Sequence, residues 1–248
     1  MSNIIGSHWR TDRPTEGLAD PQLPTAPLAV RTFLPDGYEP RYPYPLLVLF
    51  HPHGGNEEQA LRLVPKMSRR NFVAISIRGP ELLGVREDGE LAFGWGSGDT
   101  YADLITDCLV KTVEQTRRHV HVHSERIFLV GVCEGATAAY RSAFTLGNQI
   151  GGLAVLNGTM PRPKPGCPLF HFDALRQMPV MIGHGIANAV IPCSAASRDQ
   201  RLLYTAGANV RMNTYPTTHR IHEHMLRDVN RWIISQINAE TDRLVKVK

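Results

Sequence analysis

The feature that most constrains the fold is an alternation of short apolar runs with segments of helical spacing. The apolar runs are LLVLF, FVAISI, IFLV, GLAVLNG, PVMIGHG and VRMNTYP, at residues 46–50, 72–77, 127–130, 152–158, 179–185 and 210–216. Continuous apolar strands separated by helices are typical of a parallel sheet that is covered on both faces. We therefore predict an α/β protein with a mostly parallel central sheet and helices on both faces. In such a sheet the functional site lies beyond the carboxyl ends of the strands.

Helical spacing of apolar residues fills the segments between these runs. It predicts helices over residues 57–67, 101–120, 136–146, 194–206 and 222–237. The first helix is limited by Pro65, and Asp99 or Thr100 is the expected N-cap of the second. Ahead of the first apolar run, the segment LAVRTFLPDG predicts an antiparallel strand before a turn at Asp36 and Gly37.

The chain of 248 residues is predicted to form one domain, because no internal repeat, low-complexity segment or interdomain linker interrupts the alternation. Residues 1–45 are expected to form an N-terminal extension with early strands, and residues 239–248 a basic C-terminal tail. The oligomeric state does not follow from this pattern, and a homodimer stays open.

The composition excludes several classes of protein. Hydrophobic residues make up 42% of the chain and charged residues 20%, as in ordinary globular domains. No apolar run approaches the roughly 18 residues that cross a bilayer, and the start of the chain lacks the pattern of a secretion signal. The net charge is +4, but the basic residues form no stripe or motif typical of a nucleic-acid surface. We predict a cytoplasmic protein without a membrane span or a nucleic-acid partner.

Cysteine and histidine residues give no clear metal signature. The cysteines are Cys108, Cys133, Cys167 and Cys193. Their irregular spacing indicates free thiols rather than a disulfide framework or a zinc site. The HVHVH segment contains His119, His121 and His123. On a strand these imidazoles would share one face and could bind a metal, but the segment precedes the strand at 127, away from the expected site, and solvated histidines are the favoured interpretation. We expect no metal and no cofactor.

The stretch IFLVGVCEGATAAY has the form of a nucleophile turn between a strand and a helix. Gly131 and Gly135 flank Cys133 in the pattern G-x-C-x-G, where a serine is usual. The amino end of the following helix favours an anion, which predicts a thiolate at Cys133. Glu134 opposes this if its carboxylate points at the sulfur. The alternative is that Cys133 is a small buried apolar residue.

Six motifs occur in a fixed order over about residues 45–235: LLVLFHPHGGNEEQALRLVP, VAISIRGP, FGWGSGD, RIFLVGVCEGATAAY, HGIANAVIP and TYPTTHRI. In these motifs the chain resembles the α/β-hydrolase superfamily, and most closely the phospholipase/carboxylesterase group that includes acyl-protein thioesterases. Its cysteine nucleophile is similar to that of dienelactone hydrolase. The resemblance implies the α/β-hydrolase fold and an acyl-transfer site.

The resemblance also implies the partners of the nucleophile. The family carries its catalytic acid in an H-G-x-x-D-x-V-x-P loop, in which this chain has Asn188, and its histidine after the last strand, at His219. Cys-His-Asn is the set found in papain-like proteases. A thiol and an imidazole differ by only about two pKa units, so the proton is expected to rest on His219 while Asn188 orients the ring. Asp173 and Asp199 are alternative acids, but neither is at the family position.

The family's H-G-x-G-G loop implies the oxyanion site. This chain reads HPHGG from residue 51, which makes the backbone N–H groups of His53 and Glu134 the expected donors. Pro52 replaces a glycine and has no N–H, so a slip in register would remove one donor. Trp95 either walls an acyl pocket or anchors a glycine-rich loop by packing. Arg78 either meets a substrate carboxylate or is exposed.

These features predict a hydrolase of carboxylic esters, thioesters or lactones that forms a covalent acyl-enzyme. Its partner would be a small-molecule ester or thioester. One alternative is a catalytically inactive α/β-hydrolase that binds a ligand or a partner protein. In that case the changes at Cys133 and Asn188 reflect loss of the catalytic set. A second alternative is a redox-sensing role for a thiol of low pKa.

Overall fold

The computed structural model describes residues 28–162 and 175–246. Its strands are β1 (Val30–Phe33), β2 (Tyr44–Phe50), β3 (Val73–Ile77), β4 (Glu81–Val85), β5 (Leu91–Gly94), β6 (Val122–Val132), β7 (Gly152–Leu156), β8 (Pro179–Gly185) and β9 (Asn209–Tyr215). Seven of them form one sheet in the order β1-β3-β2-β6-β7-β8-β9. All neighbouring pairs are parallel except β1 with β3. The predicted early antiparallel strand is therefore confirmed at the edge of the sheet.

The helices are α1 (Glu57–Leu61), α2 (Val64–Met67), α3 (Asp99–His119), α4 (Glu134–Leu146), a 3-10 turn (Gly147–Gln149), α5 (Cys193–Thr205) and α6 (Glu223–Lys246). The buried apolar residues form two clusters, one on each face of the sheet. Helices α3, α4 and α5 pack on one face of the sheet, and α1, α2 and α6 pack on the other. Alternate residues of β2 enter the two clusters, because successive side chains of a strand point to opposite faces. This arrangement confirms the predicted α/β class with helices on both faces.

The helix predicted over 57–67 is two helices in the structure. Helix α1 ends at Leu61, and Pro65 is near the start of α2. A proline inside one continuous helix would lose a hydrogen bond and clash with the preceding turn, whereas the first turn of a helix tolerates it. Asn56 is the N-cap of α1, and its side chain accepts a hydrogen bond from the backbone N–H of Gln59.

Other boundaries also differ from prediction. Helix α3 begins at Asp99 with Gly98 as its N-cap, so neither predicted capping residue caps it. Helix α6 continues to Lys246 through most of the segment predicted as a tail, because AETDRLVK is rich in helix-forming residues. The hairpin of β4 and β5 was not predicted. None of the helices that the structure describes is long and apolar enough to span a membrane.

The HVHVH segment does not form a common histidine face. His119 is the last residue of α3, His121 lies between the elements, and His123 is in β6. Over residues 28–162 and 175–246 no group of three or more histidine, cysteine or acidic side chains is arranged to hold a metal ion. The alternative of a metal site at HVHVH therefore finds no support.

Candidate active site

Cys133 lies on a strained turn between β6 and α4. Its backbone has a φ of 54° and a ψ of −117°, a conformation that costs about 1–3 kcal/mol in a residue with a side chain. The flanking glycines make this turn feasible. A Cβ atom on Gly131 would lie 2.5 Å from the Cα of Ala136, and one on Gly135 would lie 2.4 Å from the carbonyl oxygen of His51. The turn projects the Cys133 side chain at the carboxyl end of the sheet.

The side chains of Cys133, His219 and Asn188 lie in a line. The His219 Nε2 atom is 3.0 Å from Cys133 Sγ, and its Nδ1 atom is 3.1 Å from Asn188 Oδ1. Asn188 Oδ1 also accepts hydrogen bonds from the backbone N–H groups of Val190 and Ile191, at 3.1 and 3.0 Å. Three donors around one oxygen fix the orientation of the amide. His219 therefore carries its proton on Nδ1, and its Nε2 is free to accept the proton of the thiol.

The outer end of the Asn188 amide faces a second buried imidazole. Asn188 Nδ2 is 3.3 Å from His184 Nε2, and that same nitrogen is 2.8 Å from the carbonyl oxygen of Ile191. One nitrogen cannot donate to the carbonyl and accept from the amide at the same time. His184 Nδ1 is buried and has no hydrogen-bond partner among the described residues. The amide thus leaves a polar mismatch that a carboxylate at residue 188, which could accept from His184, would remove.

The sulfur of Cys133 also contacts two backbone donors. It accepts hydrogen bonds from the N–H groups of Glu134 and His53. These are the two groups that the sequence predicts for the oxyanion site. Pro52 does not interfere, because it precedes the peptide N–H that is used. A substrate oxygen bound beside the sulfur would meet the same two donors.

A buried histidine holds the loop that carries one of these donors. The N–H of Gly79 donates to His51 Nε2 at 2.8 Å, so the His51 proton is on Nδ1, which donates to the carbonyl oxygen of Pro52 at 2.8 Å. The N–H of Gly55 donates to the same carbonyl at 2.9 Å. In a planar trans peptide the C=O and N–H point in opposite directions. Fixing the Pro52 carbonyl therefore directs the His53 N–H toward Cys133.

Burial sets the electrostatics of the catalytic pair. It raises the pKa of the Cys133 thiol, with a smaller opposing effect of the two N–H donors and a further rise from the Glu134 carboxylate. It lowers the pKa of His219, as does the nearby His184. Both directions favour a neutral thiol beside a neutral imidazole. This is the reverse of the sequence-based expectation of a resting thiolate, because the sulfur is partly buried and an amide, rather than a carboxylate, faces His219.

The Glu134 side chain points to the mouth of the site. Its Oε2 atom is 2.9 Å from His53 Nδ1, with the imidazole 60% exposed. The carboxylate raises the pKa of the Cys133 thiol and so acts on the sulfur electrostatically, which the sequence alone left open.

A cavity of about 270 Å³ opens beside Glu134. Its walls include Trp95, Ala102, Ile105 and Ala138. Trp95 is buried, and its indole N–H donates to the carbonyl oxygen of His51 at 2.8 Å. The ring therefore lines the cavity and holds the loop at His51, and its role in an acyl pocket stays a prediction.

Arg78 does not line this cavity. Its guanidinium donates two hydrogen bonds to the buried carboxylate of Glu57, at 2.9 and 2.6 Å, and lies 4.6 Å from the centre of the Phe93 ring. A guanidinium that is paired in this way has little capacity for a substrate carboxylate. The alternative of an exposed Arg78 is wrong, because its side chain is largely buried, and a contact with a substrate carboxylate stays a prediction.

Asp199, one of the two alternative acids, bonds to other groups than His219. Asp199 Oδ2 accepts from the Thr159 hydroxyl at 2.6 Å and from the Met160 N–H at 2.8 Å, and its Oδ1 accepts from Arg198. Asp173, like Cys167, lies outside the described residues. Asn188 is thus the acceptor found at His219 Nδ1.

Two residues that sequence analysis did not single out also contribute to the site. His51 follows the end of β2 and Asn157 follows the end of β7. Both are buried, and both make side-chain hydrogen bonds to loops of the site. Their position directly after apolar strands, at the edge where the site was expected, is the signal that could have found them.

A family comparison agrees with this geometry. The phospholipase/carboxylesterase family model matches residues 40–237. The chain belongs to the phospholipase/carboxylesterase family. Among curated proteins, acyl-protein thioesterase 1 of Gibberella zeae is 31% identical to this chain over 93 residues. That alignment covers 37% of this chain and 40% of the thioesterase, so the chain spans less than half the length of this curated relative.

Solved structures with carboxylesterase names share the fold. The carboxylesterase of Bacillus cereus has a TM-score of 0.66 at 21% identity, over 86% of this chain and 96% of that chain. The carboxylesterase of Mesorhizobium loti has a TM-score of 0.65 at 20% identity, over 86% and 97% of the two chains. At these identities the likeness establishes the α/β-hydrolase fold of this family member.

Proposed function

We propose that this phospholipase/carboxylesterase family member is a hydrolase of small carboxylic esters, thioesters or lactones that uses a Cys-His-Asn set. The observation that carries the proposal is the 3.0 Å approach of His219 Nε2 to Cys133 Sγ, with Asn188 on the other side of the ring. A nucleophile, a base and an orienting group in this order are the requirements for covalent acyl transfer.

Acylation starts from the neutral pair. Cys133 Sγ attacks the substrate carbonyl carbon while its proton passes to His219 Nε2. The carbonyl electron pair moves onto oxygen, and the N–H groups of His53 and Glu134 stabilise that charge. When the adduct collapses, the bond to the leaving group breaks, and the imidazolium gives its proton to the departing alkoxide or thiolate. The product is a thioester between Cys133 and the acyl group.

Deacylation reverses these roles with water as the nucleophile. His219 accepts a proton as water attacks the thioester carbon, and the same two N–H groups bind the second oxyanion. Collapse then breaks the bond to sulfur, which regains its proton from the imidazolium. Asn188 holds the ring through both steps, but its amide stabilises the imidazolium less than a carboxylate does. This difference favours activated or strained acyl groups over amides.

The cavity supports a small acyl group. Its volume of about 270 Å³ is just below the common range of about 300–1,000 Å³ for small-molecule pockets. Its lining combines apolar side chains with the polar Ser97, Thr137, Glu134 and Arg141, and a short alkyl or aryl chain would fit against the apolar part. We therefore expect p-nitrophenyl acetate and butyrate to be better substrates than long-chain esters.

The test compares the wild type with Cys133→Ala and Cys133→Ser. We expect hydrolysis of p-nitrophenyl acetate by the wild type, an acetylated Cys133 peptide in quenched samples by mass spectrometry, and loss of both in Cys133→Ala. Cys193→Ala is a matched control that should behave as the wild type. Equal hydrolysis by the wild type and both Cys133 variants would overturn the proposal. Failure of the wild type to acquire an acyl group from any activated ester would instead support the inactive, ligand-binding alternative.

A further inference from the structure

Asn157 connects the three segments that carry the proposed catalytic residues. It follows β7, is fully buried, and has a φ of 52°, in the left-handed region that few residues with side chains adopt. On one side its backbone neighbour Leu156 accepts a hydrogen bond from the Cys133 N–H at 3.0 Å. On the other side its side chain reaches the segments of His219 and Asn188. No step of the proposed mechanism uses this residue.

The Asn157 amide makes three side-chain hydrogen bonds. Its Nδ2 atom donates to the backbone carbonyl oxygen of His219 at 3.1 Å and to that of Arg220 at 3.0 Å. Its Oδ1 atom accepts from the N–H of Gly185 at 2.8 Å, at the end of the strand that leads to the Asn188 loop. Two donors and one acceptor at these positions match an asparagine, whereas an aspartate would offer no donor to the carbonyls.

Two side-chain amides, those of Asn188 and Asn157, restrain His219. Asn188 orients the imidazole through Nδ1, while Asn157 holds the backbone from which the imidazole extends. Residues 216–218, which precede His219, are half-buried or exposed. Among the described residues, Asn157 is the side chain found to donate to the His219 carbonyl oxygen. The Ala187 N–H also holds this segment, by donating to the Thr217 carbonyl oxygen at 3.1 Å, but the part-buried Asn157 bond acts on the His219 carbonyl itself.

We infer that Asn157 is a positioning residue that holds His219 at hydrogen-bonding distance from Cys133, an inference that rests on the proposed function. Loss of the Asn157 side chain should let the ring move away from the sulfur. A displacement on the order of 1 Å can lower a catalytic rate by about 100-fold. The cavity is lined by other residues, so substrate binding should change little.

Two variants separate this role from a general loss of folding. Asn157→Gly removes the side chain while suiting the positive φ, so the backbone should not be strained. Asn157→Asp keeps the shape but places a carboxylate against two carbonyl oxygens. We expect both to lower kcat by at least about tenfold, with KM nearly unchanged. Asn71→Ala is the control, because Asn71 bonds to Asn230 at 2.9 Å near the amino end of β3 and should leave kcat unchanged.

Alkylation of Cys133 by iodoacetamide gives a readout that a merely structural role would not produce. Near pH 7 the thiol loses its proton chiefly to His219, whereas near pH 10 hydroxide removes it without help from the imidazole. Both Asn157 variants, and His219→Ala as the reference for complete loss of the base, should therefore slow alkylation at the lower pH and not at the higher. Wild-type kcat in both variants, or equal slowing at both pH values, would overturn the inference. If the wild type hydrolyses the ester no faster than Cys133→Ala does, the proposed function is wrong. The alkylation result still decides the role of Asn157 in that case.

Discussion

The Nδ1 atom of His219 lies 3.1 Å from the amide oxygen of Asn188, where a carboxylate is usual in the family that the sequence resembles. Because the amide oxygen already accepts two backbone N–H groups, its orientation is fixed without a charge. The arrangement keeps the ring in the correct tautomer but supplies little electrostatic support to an imidazolium. The consequences of that difference are open to measurement.

Replacing Asn188 by aspartate should increase activity. The carboxylate would stabilise the imidazolium formed during attack, and its outer oxygen could accept a hydrogen bond from His184 Nε2, which now faces the amide nitrogen at 3.3 Å. In a serine protease the reverse change lowers kcat by about 10⁴, and we expect a smaller gain, on the order of tenfold, because a thiol depends less on the acid. Steady-state kcat/KM with p-nitrophenyl acetate measures this. A fall in kcat/KM with intact folding would show that the site is adapted to the amide.

Glu134→Gln should lower the pKa of the Cys133 thiol. The Glu134 carboxylate raises that pKa, and the neutral amide would remove its effect while keeping the backbone N–H donor. The pH dependence of iodoacetamide alkylation, followed by mass spectrometry of the Cys133 peptide, reports the pKa directly. Cys193 in the same sample serves as the internal reference. An unchanged profile would mean that the carboxylate does not act on the sulfur.

The acid limb of kcat/KM should lie below pH 6.5. His219 must be neutral to accept the thiol proton, and burial together with His184 lowers its pKa from 6.5. Activity is therefore expected to persist as the pH falls through 6.5 and to decline only when the imidazole becomes protonated at lower pH. Initial rates across buffers of constant ionic strength test this. An acid limb above 6.5 would contradict the direction of the shift.

Ala102→Leu should shorten the range of acyl chains that the site accepts. Ala102 lines the cavity of about 270 Å³ and is only partly buried, so the larger side chain can enter the cavity without disturbing the core. We expect kcat/KM to fall by about tenfold or more for p-nitrophenyl butyrate and to change little for the acetate. Equal effects on both esters would indicate that the acyl group binds elsewhere.

Much of the fold could be predicted from the sequence because the parallel strands are continuous apolar runs. The hairpin of β4 and β5 could not, since Leu82, Val85 and Leu91 are exposed and the segment lacks such a run. The break between α1 and α2 could be predicted only in part. Pro65 is visible in the sequence, but it is equally compatible with the end of one helix and with the first turn of the next, which is where the structure has it.

The proximity of Cys133 and His219 was also predictable, because the resemblance to the family implies that both residues follow strands at the same edge of the sheet. The direction of their pKa shifts was not, since it depends on burial and on where the Glu134 carboxylate points. The contributions of His51 and Asn157 arise from hydrogen bonds between segments distant in sequence. Their position directly after apolar strands places them at the edge of the site, but the partners of their side chains do not follow from that position.

The neutrality of His51 links acid sensitivity to the oxyanion loop. Burial lowers its pKa to about 4 from 6.5, so an unfolded chain binds this proton more readily than the folded chain does. The contribution of His51 to the free energy of unfolding is complete above pH 6.5. It declines by about 3 kcal/mol in total as the pH falls toward 4. Once charged, Nε2 can no longer accept from Gly79, so the ring keeps its bond to the Pro52 carbonyl oxygen but loses the contact that holds its other side. Acidification would thus weaken the fold at the same imidazole that aims a donor at the reacting oxygen.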